Sequence, residues 1–314
     1  MLAVMLMVVA WALSLMPRSA HAQVVLVGDA TRPYSSAFVE RLKLLLPDAA
    51  IRTVETYSPQ RSQEVTPQPK LIIALGAQAL RETLISVRAL PQGYAASTAT
   101  PILSLLTTQD QYAAIVHAQN KPGAVPFVSA LYGDPDPLIQ LRLIQTTFRR
   151  PVSVGVWATV ENAASITRLR AIAPTFDVTL AIENLVPDSG RVAISDVARA
   201  TSARADVDAW LALPDAAIFD SSSLKTILLV SYARSQPMFG FTASMVTAGA
   251  AASAWVPATM LAGDVADIYR SVAKGANLPN AQYPSHYDVI VNESVLRSLS
   301  LPVAQTLRQL RRAP

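Results

Sequence analysis

The sequence predicts an α/β protein with two doubly wound parallel-sheet lobes and a ligand cleft between them. Short apolar runs alternate with amphipathic helical patterns along the chain, which is typical of parallel sheets covered by helices on both faces. The chain has 314 residues. Because one hydrophobic core stops growing at about 250 to 300 residues, two lobes are expected.

The first 22 residues have the pattern of an export signal. An unbroken apolar run, MLAVMLMVVAWALSLM, ends at Pro17 and is followed by SAHA, in which Ala20 and Ala22 have the A-x-A form of a signal-peptidase site. The run is shorter than the ~20 residues needed to cross a bilayer, which argues against the alternative of a membrane anchor. We therefore expect cleavage after Ala22 and a mature periplasmic protein that begins at Gln23.

Five apolar runs are each followed by a helical pattern. In chain order, VVLVG precedes SSAFVERLKLLLP, LIIALG precedes AQALRETLISV, PILSLL precedes TTQDQYAAIVHAQ, VSVGVWA precedes VENAASITRLRAI, and AAIF precedes LKTILLVSYARS. In the first helix, Phe38, Leu42 and Leu45 fall near one face, while Glu40 and Lys43 lie on the other. We interpret each run as a buried strand and each following pattern as a helix packed on the sheet.

The pattern restarts after FRRP, Phe148 to Pro151, as though a second lobe began there. We therefore expect a signal peptide at 1–22, an N-terminal lobe at 23–148 and a C-terminal lobe at 149–248. The remaining residues, 249–314, are predicted to form a crossover helix that returns to the first lobe and ends at Gly275, then a last strand in YDVIVN and a C-terminal helix.

Composition excludes several classes of function. The net charge is +4 and the basic residues are scattered, apart from RQLRR near the C-terminus, so no nucleic-acid partner is expected. The absence of cysteine excludes disulfides, thiolate catalysis and a lipid anchor. His117 and His286 have no partner at metal-ligand spacing. Phosphate-loop and nucleophile-elbow motifs are missing too, so we expect no metal, no cofactor and no enzyme activity.

Small polar residues follow five of the predicted strands, at Thr31, Thr108, Thr159, Asp220 to Ser223, and Thr242. The carboxyl ends of parallel strands form the crevice in which ligands bind, beside helix N-termini with free N–H groups. The same residue types are also the favoured N-caps of helices, which need no ligand. Both interpretations stay open for each residue, and DSSS carries more polar atoms than one cap uses.

The C-terminal third resembles a known family. PMFGFTASMVTAGAAASAW, LAGDVADIYRSVAKGANLPN and YDVIVNESVLRSLSLPV are similar to segments of the ABC-transporter substrate-binding family of periplasmic proteins, which has the type I periplasmic-binding-protein fold. Upstream, GAQAL, the PG of PGAVPFVSA, IQLRLI and VGVWATVENAASI fit more weakly. The resemblance implies a monomer whose two lobes close on a small molecule and present it to an ABC permease in the inner membrane.

That resemblance implies that groups from both lobes line the cleft. Asp220 is the only acid among the candidates and suits an ammonium group, so an amino-acid-like ligand is expected. The aromatic candidates can stack on a ligand or pack in the core or hinge. The expected ligand-binding residues are Thr31, Tyr34, Gly76, Ala77, Thr108 and Tyr132 from the first lobe, and Trp157, Thr159, Asp220, Ser221 and Thr242 from the second.

Two other functions remain open from the sequence. Where the family has P-G-G-N-x-T-G, this chain reads PGAVPFVSA, and the missing Asn and Thr favour a periplasmic ligand-sensing or accessory protein that partners a membrane receptor or kinase. An enzyme on the same scaffold would use Asp29 and Asp220 as an acid and base pair across the cleft. No His, Cys or activated Ser constellation supports that chemistry.

Overall fold

The structure is a computed structural model that describes residues 22–58, 69–88, 100–118 and 127–302. The predicted signal segment before Ala22, the PG motif at Pro122 and Gly123, and the C-terminal RQLRR lie outside the described residues. In the part of the chain that is described, no helix has the length and apolar character needed to cross a bilayer.

The first lobe is a parallel sheet with strand order β2-β1-β3-β4-β5. Its central strands β3 and β4 are buried along their whole length, as continuous apolar runs predict for a sheet covered on both faces. The strands are β1 (Ala22–Val27), β2 (Ala50–Val54), β3 (Leu71–Leu75), β4 (Ile102–Leu105) and β5 (Val128–Ala130). The described helices that follow these strands are α1 (Pro33–Leu45), α2 (Ala77–Arg88) and α3 (Gln109–Ala118).

The second lobe is a six-stranded sheet with the order β11-β10-β9-β8-β6-β7. All its strands are parallel except β11, which runs antiparallel to β10. The strands are β6 (Val152–Ala158), β7 (Val178–Asn184), β8 (Ala209–Leu211), β9 (Met238–Gly240), β10 (Ala252–Trp255) and β11 (Asp288–Val291). The α-helices of this half of the chain are α4 (Pro137–Phe148), α5 (Ala163–Ile172), α6 (Ile194–Ala203), α7 (Ser221–Ala233), α8 (Ala243–Ala248), α9 (Ala258–Ala273) and α10 (Glu293–Ser298).

Within the described residues, the chain passes between the lobes three times, at 133–136, at 256–257 and at 284–287. The first crossover precedes α4, whose Leu141 and Ile144 share a core with Val154 of β6. The boundary that the sequence predicts, near Phe148, therefore lies at the C-terminal end of α4, one helix after the first crossover. The second crossover leads into α9, which packs on α1 in the first lobe.

One predicted strand is wrong. AAIF does not form a strand, because Ala216–Ile218 is a turn, in which the Asp215 carboxylate accepts a hydrogen bond from the backbone N–H of Ala217 at 2.8 Å. The strand at this place is β8, a few residues earlier, whose three residues are fully buried beside β6. AAIF therefore has the composition of a strand, but the turn at Asp215 leaves it without a neighbouring strand to pair with.

Candidate functional site

A cavity of about 790 Å³ lies at the carboxyl ends of β1, β2 and β3. This first-lobe cavity brings together three of the predicted ligand-binding residues, Thr31, Gly76 and Ala77. All of its lining belongs to the first lobe: Gly28, Asp29, Ala30, Thr31, Arg32, Ser35, Thr53, Val54, Glu55, Leu75, Gly76, Ala77, Gln78, Ala79, Glu82 and Leu106. The position is where ligands bind on open parallel sheets.

Two helices begin at the wall of this cavity. The residue before α1, Arg32, makes no side-chain cap, and α2 follows Gly76, which has no side chain to offer and a φ of 95°. The first N–H groups of a helix have no partner within the helix and carry a partial positive charge. The cavity wall therefore presents hydrogen-bond donors to a ligand oxygen.

Charged side chains in the cavity are mostly acidic. The loop after β1 is held by Asp29, whose carboxylate accepts hydrogen bonds from the Thr31 hydroxyl at 2.6 Å, the Thr31 N–H at 2.9 Å and Arg32 Nε at 3.0 Å. These hydrogen bonds, those from Thr31 first, lower the pKa of Asp29 below its usual value. Glu55 and Glu82 also line the cavity, so its lining contains three acidic residues and one arginine.

In the second lobe, the predicted hydroxyls cap helices. Thr159 is buried, donates to Asp215 at 2.6 Å and accepts the N–H of Glu161 at 3.1 Å. It thereby caps the short 3-10 helix Val160–Asn162, which precedes α5. Thr242 accepts the N–H of Met245 at 3.3 Å at the start of α8. In the first lobe, Thr108 does the same for Gln111 at 3.2 Å.

The DSSS segment forms a capping box at the start of α7. The Asp220 carboxylate accepts hydrogen bonds from the N–H groups of Ser222 and Ser223, both at 2.7 Å, and forms an ion pair with Arg191. Ser223 accepts the N–H of Asp220 at 2.9 Å. Ser221 is exposed at the first position of α7. Because all these partners belong to its own lobe, the Asp220 carboxylate has its hydrogen bonds without a ligand.

The aromatic candidates pack in the hinge or the core. The Tyr34 hydroxyl donates to the carbonyl of Val256 in the second crossover at 2.7 Å. Tyr132 meets the ring of Tyr283 edge to face, with centroids 4.9 Å apart. Trp157 is 1% exposed and stacks on Trp210 at 4.3 Å. Burial raises the pKa of Tyr34 to about 12, so its hydroxyl stays a donor at neutral pH.

Polar contacts fix the first and third crossovers. The Asp136 carboxylate pairs with Arg168 of α5 at 3.1 Å, and the guanidinium lies 5.4 Å from the centre of the Tyr283 ring. Asp264 of α9 holds the third crossover, because it is bonded to the His286 ring at 2.5 Å and accepts the N–H of Ser285 at 2.9 Å. Among the described residues, no group of three or more acidic or histidine side chains is placed to hold a metal ion.

Several solved structures share this architecture. The ABC domain in complex with L-Trp from Streptococcus pneumonia is 15% identical, with a TM-score of 0.58 over 92% of this chain and 98% of that one. A ligand-free, open substrate binding protein with adhesive properties from Clostridium difficile is 16% identical, with a TM-score of 0.65 over 90% and 96%. A periplasmic ribose ABC transporter from Conexibacter woesei is 15% identical, with a TM-score of 0.54 over 93% and 98%.

The chain has the type I periplasmic-binding-protein fold. The fold class expected from the sequence is confirmed. No protein-family model and no curated protein matches the sequence. These type I neighbours are binding and transport proteins rather than enzymes. In this chain the carboxylates of the alternative acid and base pair, Asp29 and Asp220, are each bonded to a neighbouring arginine.

Two pairs of residues in the type I lobes were not predicted from the sequence. Glu55 and Glu82 line the first-lobe cavity, but Glu55 follows the half-exposed strand β2 and Glu82 lies within α2, so neither follows an apolar run. Phe219 and Phe241 lie at the carboxyl edge of the second sheet, partly exposed, with ring centroids 5.8 Å apart. The positions of these phenylalanines, immediately before DSSS and immediately after MFG, were a usable signal.

Proposed function

We propose that the protein is a periplasmic solute-binding protein that captures a small molecule in the first-lobe cavity and delivers it to an ABC importer. The observation that carries the proposal is the cavity of about 790 Å³ at the strand ends, in a fold whose second lobe is joined by three crossovers. Closure of the second lobe over the cavity would bury the ligand and create the form that a permease recognises.

The ligand we propose is amino-acid-like. Its carboxylate would accept N–H groups at the starts of α1 and α2, near Thr31, Gly76 and Ala77. Its ammonium group would pair with Glu55 or Glu82, which line the same cavity. The large volume leaves room for a side chain. The carboxylate and the ammonium group of a zwitterion would therefore each lie beside groups of opposite charge within one cavity.

The second lobe would supply the opposing wall on closure. Its carboxyl edge carries Ser221, Thr242 and the rings of Phe219 and Phe241. In this proposal the Thr242 hydroxyl, which caps α8, forms part of the opposing wall, and the rings of Phe219 and Phe241 cover the apolar part of the ligand. We also propose that the chain is exported, cleaved after Ala22 and monomeric.

A thermal-shift screen of residues 23–314 tests the proposal. The chain is refolded to remove carried-over ligand and screened against amino acids, small peptides, sugars, nucleosides and organic acids. Ligand at about 100 times its Kd adds ~2.7 kcal/mol, which raises Tm by roughly 5 °C or more for a chain of this size. The expected result is such a rise with amino acids.

A flat result across the whole panel would contradict solute capture and favour the accessory protein, whose partner is another protein. A rise with sugars alone would retain solute capture and overturn the amino-acid-like ligand. Delivery is tested separately by uptake of the labelled ligand in cells that lack this gene. Unchanged uptake would overturn the role in import and leave the binding function standing.

A further inference from the structure

We propose that Asp110 pins the two lobes together on one side of the cleft, so that they separate on the opposite side. Asp110 lies in the first turn of α3 in the first lobe. Its carboxylate accepts hydrogen bonds from the N–H groups of Ala164 at 2.7 Å and Ser165 at 3.3 Å, and from the Ser165 hydroxyl at 2.6 Å. Both partners lie in the first turn of α5, in the second lobe. One side chain therefore joins the lobes through three hydrogen bonds.

The start of α5 depends on this contact, because its own N-cap residue makes no cap. Asn162 makes no side-chain cap hydrogen bond to α5. Its amide oxygen accepts the N–H of Thr159 at 3.1 Å, and its amide nitrogen donates to the Trp157 carbonyl at 3.1 Å. A carboxylate beside unpartnered helix N–H groups is favourable. The cap of α5 is therefore supplied by the other lobe.

The first-lobe end of the pin is itself anchored to the crossovers. The N–H of Gln109 donates to Asp134 in the first crossover at 3.2 Å, and the Tyr283 hydroxyl beside the third crossover donates to the Gln109 side chain at 2.7 Å. On the other side, Arg168 of α5 pairs with Asp136 at 3.1 Å. Asp110 is thus held beside two of the three crossovers.

In the part of the chain that the structure describes, the opposite side of the cleft has no such bond between the lobes. Each lobe orders its first five strands in the same way, so the pair α3 and α5 has a counterpart in α1 and α8. Among the hydrogen bonds of the described residues, none joins α1 to α8, and at the start of α8 the Thr242 and Ser244 hydroxyls bond each other at 2.9 Å. Arg32 and Ser35, at the start of α1, line the first-lobe cavity. The lobes are therefore free to part where that cavity opens.

Distance measurements in the ligand-free full chain test the pin. The chain has no cysteine, so pairs of introduced cysteines can carry spin labels at defined positions. One pair, Ala114→Cys with Thr167→Cys, spans α3 and α5; the other, Ala37→Cys with Thr247→Cys, spans α1 and α8. All four positions are exposed. The expected result is a narrower distance distribution across α3 and α5 than across α1 and α8. Equal widths would overturn the proposal.

The second arm removes the pin. Asp110→Ala is expected to widen the α3–α5 distribution until it matches that of the α1–α8 pair, and Ser165→Ala, which removes only the hydroxyl bond, is expected to widen it less. Asp196→Ala is the matched control, because Asp196 lies in the first turn of α6 and pairs with Arg199 of its own helix at 2.7 Å. Circular dichroism confirms that each variant is folded. An α3–α5 distribution unchanged in a folded Asp110→Ala or Ser165→Ala variant, or widened equally by Asp196→Ala, would overturn the pin.

Discussion

The Asp134 carboxylate lies 3.2 Å from the backbone nitrogen of Gln109, whose N–H it accepts. This bond ties the first crossover between the lobes to the start of α3. Asp134 is 4% exposed, and burial raises its pKa from 3.8 to about 7, with further contributions from Asp110 and Asp136. A crossover in this protein therefore holds a carboxyl group that changes charge near neutral pH.

The first prediction concerns the pH dependence of stability. Between pH 3.8 and about 7, folded Asp134 keeps a proton that the unfolded chain has released. The contribution of Asp134 to stability is therefore fully present below pH 3.8 and is lost as pH rises through about 7. Asp134→Asn should remove this pH dependence. At pH 8 its free energy of unfolding should exceed that of the wild type by a few kcal/mol, since one pKa unit corresponds to about 1.4 kcal/mol.

Urea unfolding at pH 5 and pH 8 measures the effect for wild type and Asp134→Asn. The exposed Asp48→Asn is the control and should leave the wild-type pH profile unchanged. If the profiles of wild type and Asp134→Asn run parallel between these two pH values, Asp134 is not the titrating group.

The second prediction concerns Asp220. Because its carboxylate caps α7 and pairs with Arg191, Asp220→Ala should lower the free energy of unfolding by about 1 to 2 kcal/mol. Asp220→Asn, which remains a good N-cap, should lose less. Chemical denaturation measures both variants. Unchanged stability together with lost ligand binding would instead favour a direct role in the cleft.

The third prediction concerns the first-lobe cavity. Ala77→Trp places an indole in the cavity and should abolish the ligand-induced rise in Tm, because the ring occupies the volume that the ligand needs. Ala113→Trp, an equal change at an exposed position of α3, should keep the rise. Thermal shift with the ligand found in the screen measures both. Binding that survives Ala77→Trp places the ligand elsewhere.

The fourth prediction concerns the tryptophan stack in the second lobe. A Cβ added at Gly155 would lie 2.6 Å from the ring of Trp210, which stacks on Trp157. Gly155→Ala should therefore destabilise the fold by about 1 to 3 kcal/mol. Gly263→Ala is the control, because nothing lies within 4 Å of the added Cβ, and alanine in a helix should gain up to ~1 kcal/mol. Equal unfolding midpoints would contradict the close packing.

Much of the fold could be predicted from the sequence. Continuous apolar runs such as LIIAL and ILSL became fully buried strands, because a sheet covered on both faces selects for uninterrupted apolar residues. The helix expected to end near Gly275 does end there, and the glycine has a φ of 96°. AAIF was wrongly predicted as a strand, because a strand needs a neighbouring strand to pair with as well as an apolar composition. In the structure, β8 occupies the position beside β6.

The candidate site could be predicted only in part. Thr31, Gly76 and Ala77 line one cavity because they follow neighbouring strands of one sheet, and that neighbourhood follows from the β-α order. Glu55 was not predicted as a site residue because the strand before it, β2, is short and half exposed. The sequence therefore has no apolar run that would indicate a strand at this position.

By itself, the sequence determined the alternation of strand and helix, the division into two lobes and the positions of polar groups at strand ends. Only the tertiary structure decided which of those groups are already engaged. Asp220 and Thr159 satisfy helix N–H groups of their own lobe, while Asp110 satisfies those of the other lobe. The physical reason is that a hydrogen bond is set by distance and direction in space, and residues far apart in the chain acquire these only when the sheets and crossovers are in place.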